Sequence, residues 1–390
     1  MKIVDLFSGA GGLTFGFCYK KHGNSFVKNR KNEIIFANEF DNKASMAFRS
    51  NFPDIQLIED DIANISAETL YNLNIDYNDV DVVIGGPPCQ SYSTVGKRQY
   101  DKRAIMYHQY IRLLNILRPK LFVFENVTGL LTMKDNNGNP VIGEIRKLFS
   151  CIDEENFLSY NIHQKVLNSK FFGVPQSRER VFIIGIRNDL NPKRWEFPEG
   201  IYGEIPNKIP CLTVSDAISD LPTLNEGEIK TAYDHEAIND YQLLMRNKSD
   251  VIHDHIAGIY GDKIRTVIQN VIEGEGRAYI NNLVNEGKLE EKYFLTSGYN
   301  NTYGRLWWNK PSTTITNSFG TPSALRCIHP RQNRALSTRE AARLQSFPDW
   351  IRFYGNKYEK NSQVGNAVPP LLAIAIEKSI QSYFKKEGVI

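Results

Sequence analysis

Short apolar segments alternate with helical segments through the first half of the chain, and this alternation limits the possible folds more than any other feature. The strand-like segments are KIVDLF, EIIFANEF, QLIEDDI, VDVVIGG and KLFVFENV. The segments between them with apolar residues at helical spacing are GLTFGFCYK, NKASMAFRSNF and AIMYHQYIRLLNIL. Such alternation is typical of βαβ units, so we expect an α/β fold with a mostly parallel sheet covered by helices on both faces.

The alternation stops after one more strand-like segment, RVFIIGI, and prolines then recur from Pro192 onwards. We therefore expect one domain at 1–197 and a smaller, irregular domain at 198–362. Ser337 stands three residues before Glu340, a capping-box pattern that predicts a short helix. The final segment, PPLLAIAIEKSIQSYFKK, is an amphipathic helix with proline in its first turn. We expect 363–390 to return to the first domain and complete it.

Composition excludes several classes of protein. The five cysteines are scattered and form no CxxC pair, which argues against zinc ribbons and disulfide frameworks. No window approaches the roughly 18 apolar residues of a membrane span. The first residues, MKIVDLFSGAGG, lack a signal-peptide layout, and we expect a cytoplasmic protein without a metal or a membrane partner.

The net charge of +3 is less informative than its distribution. Between Arg326 and Arg352 six arginines stand against Glu340 and Asp349, a local balance of 6 − 2 = +4. A second basic segment follows Cys89. Either segment could be an ordinary solvated face. Together they make an anionic polymer a candidate partner.

A glycine-rich turn follows the first strand in DLFSGAGGLTFGF, where the backbone can approach a ligand closely. The second strand ends near Glu39, where an acid can bind two ribose hydroxyls, and the third near Asp61, where an acceptor can meet an adenine amino group. The alternative is that both are ordinary surface acids. The turn lacks the lysine and hydroxyl of a triphosphate loop. A nucleoside without a pyrophosphate fits better, and S-adenosylmethionine is such a molecule.

Three further segments carry reactive groups to the ends of strands. In GGPPCQ two prolines of fixed φ precede Cys89, so its thiol is held stiffly at the carboxyl edge where α/β sheets bind ligands. In ENV, Glu125 follows a buried strand, and desolvation should raise its pKa. In QSRERVF, Arg178 and Arg180 share one face of a strand start, and Arg180 can pair with Glu125.

These segments resemble the motifs of the C5-cytosine DNA methyltransferases, and they occur in the order seen in that family. The resemblance covers almost the whole chain except about 190–300, and the chain is similar to the compact modification enzymes of bacterial restriction–modification systems. The matching segments are DLFSGAGG, GGPPCQ, ENV, QSRERVF, STREAARLQSFPD and QVGNAVPP. The implied fold is a Rossmann-like methyltransferase domain with a smaller target-recognition domain.

The resemblance implies covalent catalysis on a cytosine. Cys89, supported by Pro88, would attack C6 as a thiolate and so make C5 nucleophilic. Glu125 would protonate or hydrogen-bond N3, and Arg180 would hold the O2 edge and orient Glu125. Arg178 would touch a phosphate or the catalytic loop. The sequence identifies no base for removal of the C5 proton.

The resemblance also implies that S-adenosylmethionine is bound and leaves as S-adenosylhomocysteine. Phe7 would stack on the adenine, Glu39 would hold the ribose, and Asp61 and Ile62 would recognise the adenine edge. The complete set of implied cofactor residues is Phe7, Ser8, Gly9, Ala10, Gly11, Gly12, Leu13, Glu39, Phe40, Asp61, Ile62, Pro87, Asn366, Ala367 and Val368.

Double-stranded DNA is the implied substrate, with the target base flipped out of the helix. Residues 91–103 would form a mobile loop that closes over the base. The polar stretch KKHGNSFVKNRKN is expected to be a surface loop and is a candidate DNA contact. The tryptophans at 307 and 308 are candidates for the core. The candidate DNA-binding residues are Ser93, Lys97, Arg98, Arg305, Thr314, Thr316 and Arg326.

We expect a monomer that protects host DNA from a cognate endonuclease without forming a stable complex with it. Two alternatives stay open. The first is an RNA cytosine methyltransferase on the same scaffold, and the second is a DNA-binding relative without activity. The long segment 190–330 favours reading of a duplex groove over RNA, and the intact cysteine and glycine turn disfavour the inactive relative.

Overall fold

A computed structural model describes residues 1–88, 106–135, 137–155, 157–247 and 249–390 of the chain. Its strands are β1 (Lys2–Leu6), β2 (Tyr19–His22), β3 (Ser25–Lys28), β4 (Glu33–Asn38), β5 (Leu57–Ile58), β6 (Val82–Gly85), β7 (Leu121–Val127), β8 (Cys151–Asp153), β9 (Leu158–Asn168), β10 (Glu179–Arg187), β11 (Gly304–Arg305) and β12 (Arg326–Ile328). Its helices are α1 (Gly12–Cys18), α2 (Asn42–Asn51), α3 (Ala67–Asn72), α4 (Met106–Leu117), α5 (Val141–Ser150), α6 (Val214–Ile218), α7 (Asp240–Arg246), α8 (Asp262–Asn270), α9 (Arg277–Asn285), α10 (Thr338–Leu344), α11 (Lys357–Asn366) and α12 (Pro370–Glu387).

Among the described residues, eight strands form one sheet in the order β5-β4-β1-β6-β7-β10-β9-β8. The pairs from β5 through β7 are parallel, whereas β10 runs antiparallel to both β7 and β9. This confirms the predicted α/β fold with a mostly parallel sheet. The strand order reverses between β1 and β6, and ligands of such sheets bind at the carboxyl ends beside this reversal.

The register places the functional segments at one edge of the sheet. Leu6 pairs with Asn38 on one side and with Gly85 on the other, and Gly85 pairs with Phe124. The residues that follow Leu6, Asn38 and Gly85 therefore leave the sheet at one level, where they begin the glycine turn, the segment of Glu39 and the segment that leads to Cys89. At the same level the ENV segment continues β7, paired only with β10.

Strand alternation explains how both faces of the sheet are covered. Val83 belongs to the core beneath α4 and α5, whereas its neighbours Val82 and Ile84 belong to the core beneath α1 and α12. Helix α12 thus packs against the first domain, as expected from its amphipathic pattern. Its proline lies in the first turn of the helix, also as expected.

Between residue 198 and α12, the described residues form short helices and only two short strands. A separate small core there includes Val267, Ile280 and Ile328. A larger core, however, contains residues from both sides of position 198, among them Phe15 and Phe347. The hydrophobic core is therefore continuous across position 198, although the alternation of strands and helices in the sequence stops there.

The polar stretch after α1 differs from the expected loop. It forms an antiparallel hairpin of β2 and β3. Phe26 is buried edge-on against Phe15, with 4.9 Å between ring centroids, and Tyr19 stacks on Phe15 at 4.8 Å. Tyr19 and Phe26 thus anchor the hairpin to Phe15, although its remaining residues are mostly polar.

Candidate active site

The glycine-rich turn between β1 and α1 requires unusual backbone angles. Phe7, Gly9 and Gly11 all have positive φ, at 58°, 56° and 88°. A side chain on Gly11 would collide with the ring of Phe52, since its Cβ would lie 2.2 Å from a ring carbon. Ser8 joins the turn to β4, because its hydroxyl donates to the Asn38 carbonyl over 3.2 Å. Ala10 and Leu13, also predicted in this site, are buried.

Glu39 is joined to the glycine turn directly. Its Oε2 accepts the Gly9 N–H at 2.7 Å, and its Oε1 accepts the N–H groups of Phe40 at 3.0 Å and Asp41 at 2.8 Å. Burial raises the pKa of this carboxyl, while these backbone bonds lower it. Two carboxylate oxygens offer about four acceptor positions, so one remains for another donor.

Three further predicted cofactor residues lie near the neighbouring strand ends. Phe40 exposes 73% of its surface beside Glu39, so its ring is accessible. Asp61 is exposed, and its carboxylate caps a short 3₁₀ helix by accepting the Ala63 N–H at 2.9 Å. Ile62 is buried.

The C-terminal segment reaches the same place. A Cβ on Gly12 would lie 2.4 Å from the carbonyl oxygen of Val368, so only glycine permits this approach. Val368 is buried and Ala367 is half-buried. Asn366 is exposed, and its amide donates to the Ser362 hydroxyl at 3.1 Å. The structure thus brings Ala367 and Val368 against Gly12 of the turn, and no contact of Asn366 with the turn is seen among the described residues.

Glu125 and Arg180 form a buried pair at the end of β7. The guanidinium Nε lies 3.1 Å from the carboxylate Oε1, and each side chain is about one-tenth exposed. Desolvation raises the pKa of Glu125, although Arg180 and Arg178 partly offset this. A Cβ on Gly86 would lie 2.8 Å from the carboxylate Oε2. Glu125 therefore lies beside the start of the segment that leads to Cys89.

Asn126 supports that segment from the next position of β7. Its side-chain amide donates to the Pro87 carbonyl over 3.3 Å. Pro87 is buried and Pro88 is exposed. Four predicted residues, Cys89, Ser93, Lys97 and Arg98, lie outside the described residues.

Arg178 lies in a different place from the predicted phosphate or loop contact. It is 1% exposed, and its guanidinium donates to the carbonyls of Ile315 and Gly365, both at 2.8 Å. Its side chain points into the protein beneath α11, whereas that of Arg180 points towards Glu125.

Arg305 also lies in the interior rather than on a DNA-facing surface. It is 5% exposed, and its five N–H donors have five acceptors. The acceptors are the carbonyls of Val271, His329, Gln332 and Ile268 and the side-chain oxygen of Asn333. Because all five N–H donors of this guanidinium are used, none is left for a base. The prediction that Arg305 contacts DNA is therefore wrong.

The other predicted DNA contacts are partly accessible. Thr314 and Thr316 are half-buried, and the Thr314 hydroxyl donates to the Ser177 carbonyl at 3.0 Å. Arg326 lies over the ring of Trp307, 4.3 Å from its centroid, and donates to the Arg305 carbonyl at 2.7 Å. Both tryptophans are half-buried rather than fully in the core.

The arginine run of 326–352 is not one basic surface. Arg334, Arg339 and Arg343 are almost fully buried. Arg334 pairs with Glu340, which also forms the predicted capping box with Ser337. Arg343 pairs with Asp349 and, from far away in the sequence, with Asp220. These arginines belong to the interior, and loss of Arg334 would leave Glu340 buried without its arginine partner.

Asp5 is a buried acid that the sequence did not single out. It is fully buried in β1, and its Oδ2 accepts the Thr14 hydroxyl, while its Oδ1 has no hydrogen-bond partner. Burial, together with the charge of Glu39, raises its pKa to about 7. An acid inside the apolar pattern of KIVDLF was the available signal.

Neither a metal site nor a membrane-spanning helix is seen among the described residues. No group of three or more histidine, cysteine or acidic side chains there is arranged to hold a metal ion. No helix in the same ranges has the length and apolar character needed to cross a membrane.

Comparison with known proteins assigns the family. Residues 1–382 match the model of the C-5 cytosine-specific DNA methylases. The type II methyltransferase M.DdeI of Desulfomicrobium norvegicum is 32% identical over 100% of this chain and 91% of its own length. M1.HphI of Haemophilus parahaemolyticus is 35% identical over 97% of this chain and 86% of its own.

A solved structure has a similar fold. It is named as a DNA modification methyltransferase encoded within an Escherichia coli prophage, and it superposes with a TM-score of 0.70. The two proteins share 23% identity over 99% of each chain. With the family match over nearly all of its length, the chain belongs to the C-5 cytosine-specific DNA methylases and is a DNA cytosine-5-methyltransferase of the type found in restriction–modification systems.

Proposed function

We propose that this enzyme methylates C5 of a flipped-out cytosine within a short, specific sequence of double-stranded DNA, with S-adenosylmethionine as donor and Cys89 as nucleophile. The observation that carries the proposal is the position of Glu125 and Arg180. They form a buried pair beside Gly86, which follows β6, and β6 is the strand next to the one that ends in the glycine turn. The base site and the cofactor site are therefore neighbours at one sheet edge.

The residues present fit the proposed cofactor. The glycine turn has positive φ angles that allow its backbone to approach a ligand closely, and Glu39 keeps an acceptor position for a ribose hydroxyl. Phe7 would stack on the adenine, with exposed Phe40 beside Glu39 and Asp61 near the next strand end. Ser8 to Leu13, Ile62, Pro87 and 366–368 would line the rest. S-adenosylmethionine supplies the methyl group.

The chain's own residues would activate the cytosine. The Cys89 thiolate adds to C6, and the negative charge that develops in the ring is met at N3 by Glu125. A carboxyl whose pKa is raised by burial can donate this proton near neutral pH. Arg180 orients Glu125 and faces the O2 edge. Once C5 is methylated, loss of its proton and departure of the thiolate restore the aromatic ring.

DNA recognition would fall to 198–362 as a target-recognition domain, with 1–197 and 363–390 as the catalytic domain. Thr314, Thr316 and Arg326 are the described candidates for DNA contact, and 91–103 would close over the extruded base. We further propose that the enzyme acts as a monomer in the cytoplasm. There it would protect host DNA from an endonuclease with which it forms no stable complex.

The decisive experiment is a covalent trap. Expression in a host followed by bisulfite sequencing would first give the target site. A duplex with 5-fluorocytosine at that position should then form an adduct that survives denaturation, because fluorine cannot leave C5 as a cation. The adduct should require S-adenosylmethionine and should be absent with the Cys89→Ser variant. Methyl incorporation into tRNA but not into DNA would instead support the RNA alternative.

A further inference from the structure

Arg178 connects two parts of the active site that are distant in sequence. It precedes β10, the strand that carries Arg180, and its guanidinium donates to the Gly365 carbonyl at 2.8 Å. Gly365 lies in the last turn of α11, and two residues further on Ala367 and Val368 meet the glycine turn at Gly12. One short stretch of chain therefore contacts Glu125 through Arg180 and the proposed cofactor wall through Arg178.

The acceptor carbonyls have a clear need for these donors. The last four carbonyls of a helix have no partner within it, and a buried carbonyl without a partner destabilises the fold. In α11, Arg178 caps Gly365, and the Gln345 amide caps Val364 at 2.7 Å. Gln345 in turn accepts from the Gln176 amide at 2.8 Å.

Arg178 and Gln176 also hold the segment around Ile315, which passes beside α11. Arg178 donates to the Ile315 carbonyl at 2.8 Å, and Gln176 accepts the Ile315 N–H at 2.7 Å. A Cβ on Gly365 would lie 2.3 Å from the backbone of Thr316 and Asn317, so the two backbones are in direct contact. A small displacement of either backbone segment would therefore be transmitted to the other.

We infer that Arg178 is a positioning residue that couples the cofactor wall to the base-side pair of Glu125 and Arg180, and that it makes no DNA phosphate contact. This inference rests on the proposed function for the identity of the two ligands. Removal of Arg178 releases the carbonyl of Gly365 and so loosens residues 366–368 against Gly12. Cofactor binding and catalysis should both weaken, whereas electrostatic attraction to DNA should not change.

The test compares Arg178→Met and the milder Arg178→Lys with wild type and with Arg187→Met as the control. Arg187 is at the other end of β10, where it pairs with Asp189 at the surface. We expect a roughly tenfold or greater loss of S-adenosylmethionine affinity by calorimetry without DNA for Arg178→Met. Partial recovery is expected in Arg178→Lys, and no change in the control. Thermal denaturation identifies any variant that fails to fold.

The salt dependence of DNA binding separates positioning from phosphate contact. Each phosphate contact contributes about 0.9 to the slope of log K against log salt concentration. The slope for Arg178→Lys and Arg178→Met should equal that of wild type. A slope lower by about one in Arg178→Met, with unchanged cofactor affinity, would overturn the inference. Wild-type protein that binds no S-adenosylmethionine would instead refute the proposed function.

Discussion

The Nε of Arg180 lies 3.1 Å from Oε1 of Glu125, yet burial still raises the pKa of this carboxyl above its ordinary value. The pair satisfies two opposing requirements. The arginine holds a positive charge beside the carboxyl and, under the proposed function, would orient it, while desolvation favours the protonated carboxyl. We therefore expect proton donation and orientation to be separable by mutation.

Glu125→Gln tests the proton. Glutamine can still hydrogen-bond but cannot transfer a proton, so we expect the turnover number to fall by about 10²–10⁴-fold. In the wild type, activity should decrease as pH rises through the raised pKa of Glu125, because the protonated form is the donor. This alkaline limb should be missing from the residual activity of the variant. An identical limb in both proteins would assign it to another group.

Cys89→Ser tests the nucleophile. A serine hydroxyl is a far weaker nucleophile than a thiolate, so methyl transfer should drop below detection. Circular dichroism and S-adenosylmethionine affinity should stay close to wild type, since Cys89 is not among the proposed cofactor residues and serine is similar in size. Turnover near the wild-type rate would eliminate the covalent mechanism at this residue.

Gly12→Ala tests the contact with Val368. The added methyl would lie 2.4 Å from the Val368 carbonyl oxygen, and overpacking of this kind costs about 1–3 kcal/mol. We expect a lower melting temperature and weaker S-adenosylmethionine binding. The matched control is Gly143→Ala in α5, where nothing lies within 4 Å of an added Cβ. That change should leave binding intact and stabilise the helix by up to about 1 kcal/mol.

Asp5→Asn tests the buried acid. The folded pKa of Asp5 is about 7, above the ordinary value of 3.8, so folding takes up a proton between these two pH values. The contribution of Asp5 to the free energy of unfolding should therefore fall as pH rises from about 4 to 7. Asparagine does not titrate. In urea unfolding without cofactor, the free energy of unfolding of the variant should rise relative to that of wild type across this range. The expected rise is on the order of 4 kcal/mol, at about 1.4 kcal/mol per pKa unit. A constant difference would place the titration elsewhere.

Local patterns were sufficient to predict the parallel strands, the return of α12, the capping box at Ser337 and the burial of Glu125. Each depends on residues close in sequence. The hairpin at 19–28 was missed because its fixed face comes from two rings that pack on Phe15, a tertiary contact. Strands β8 and β9 were missed although β9 carries a strand signal, since Leu158, Tyr160 and Ile162 alternate with polar residues.

The arginines were harder to place for a physical reason. Arg343 finds Asp220, 123 positions away, and Arg178 and Arg305 bind backbone carbonyls. Every residue has a carbonyl, so no sequence pattern marks which ones will accept. A sequence therefore predicts that an arginine needs acceptors without predicting whether protein or nucleic acid provides them.

The approach of Val368 to Gly12 also bears on how the enzyme is made. Gly12 and Val368 are translated hundreds of codons apart, yet their backbones meet in the folded protein. A nascent chain that has not yet made α12 would lack the surface on which α1 packs. Under the proposed function, methylation would begin only after α12 has left the ribosome and packed against α1.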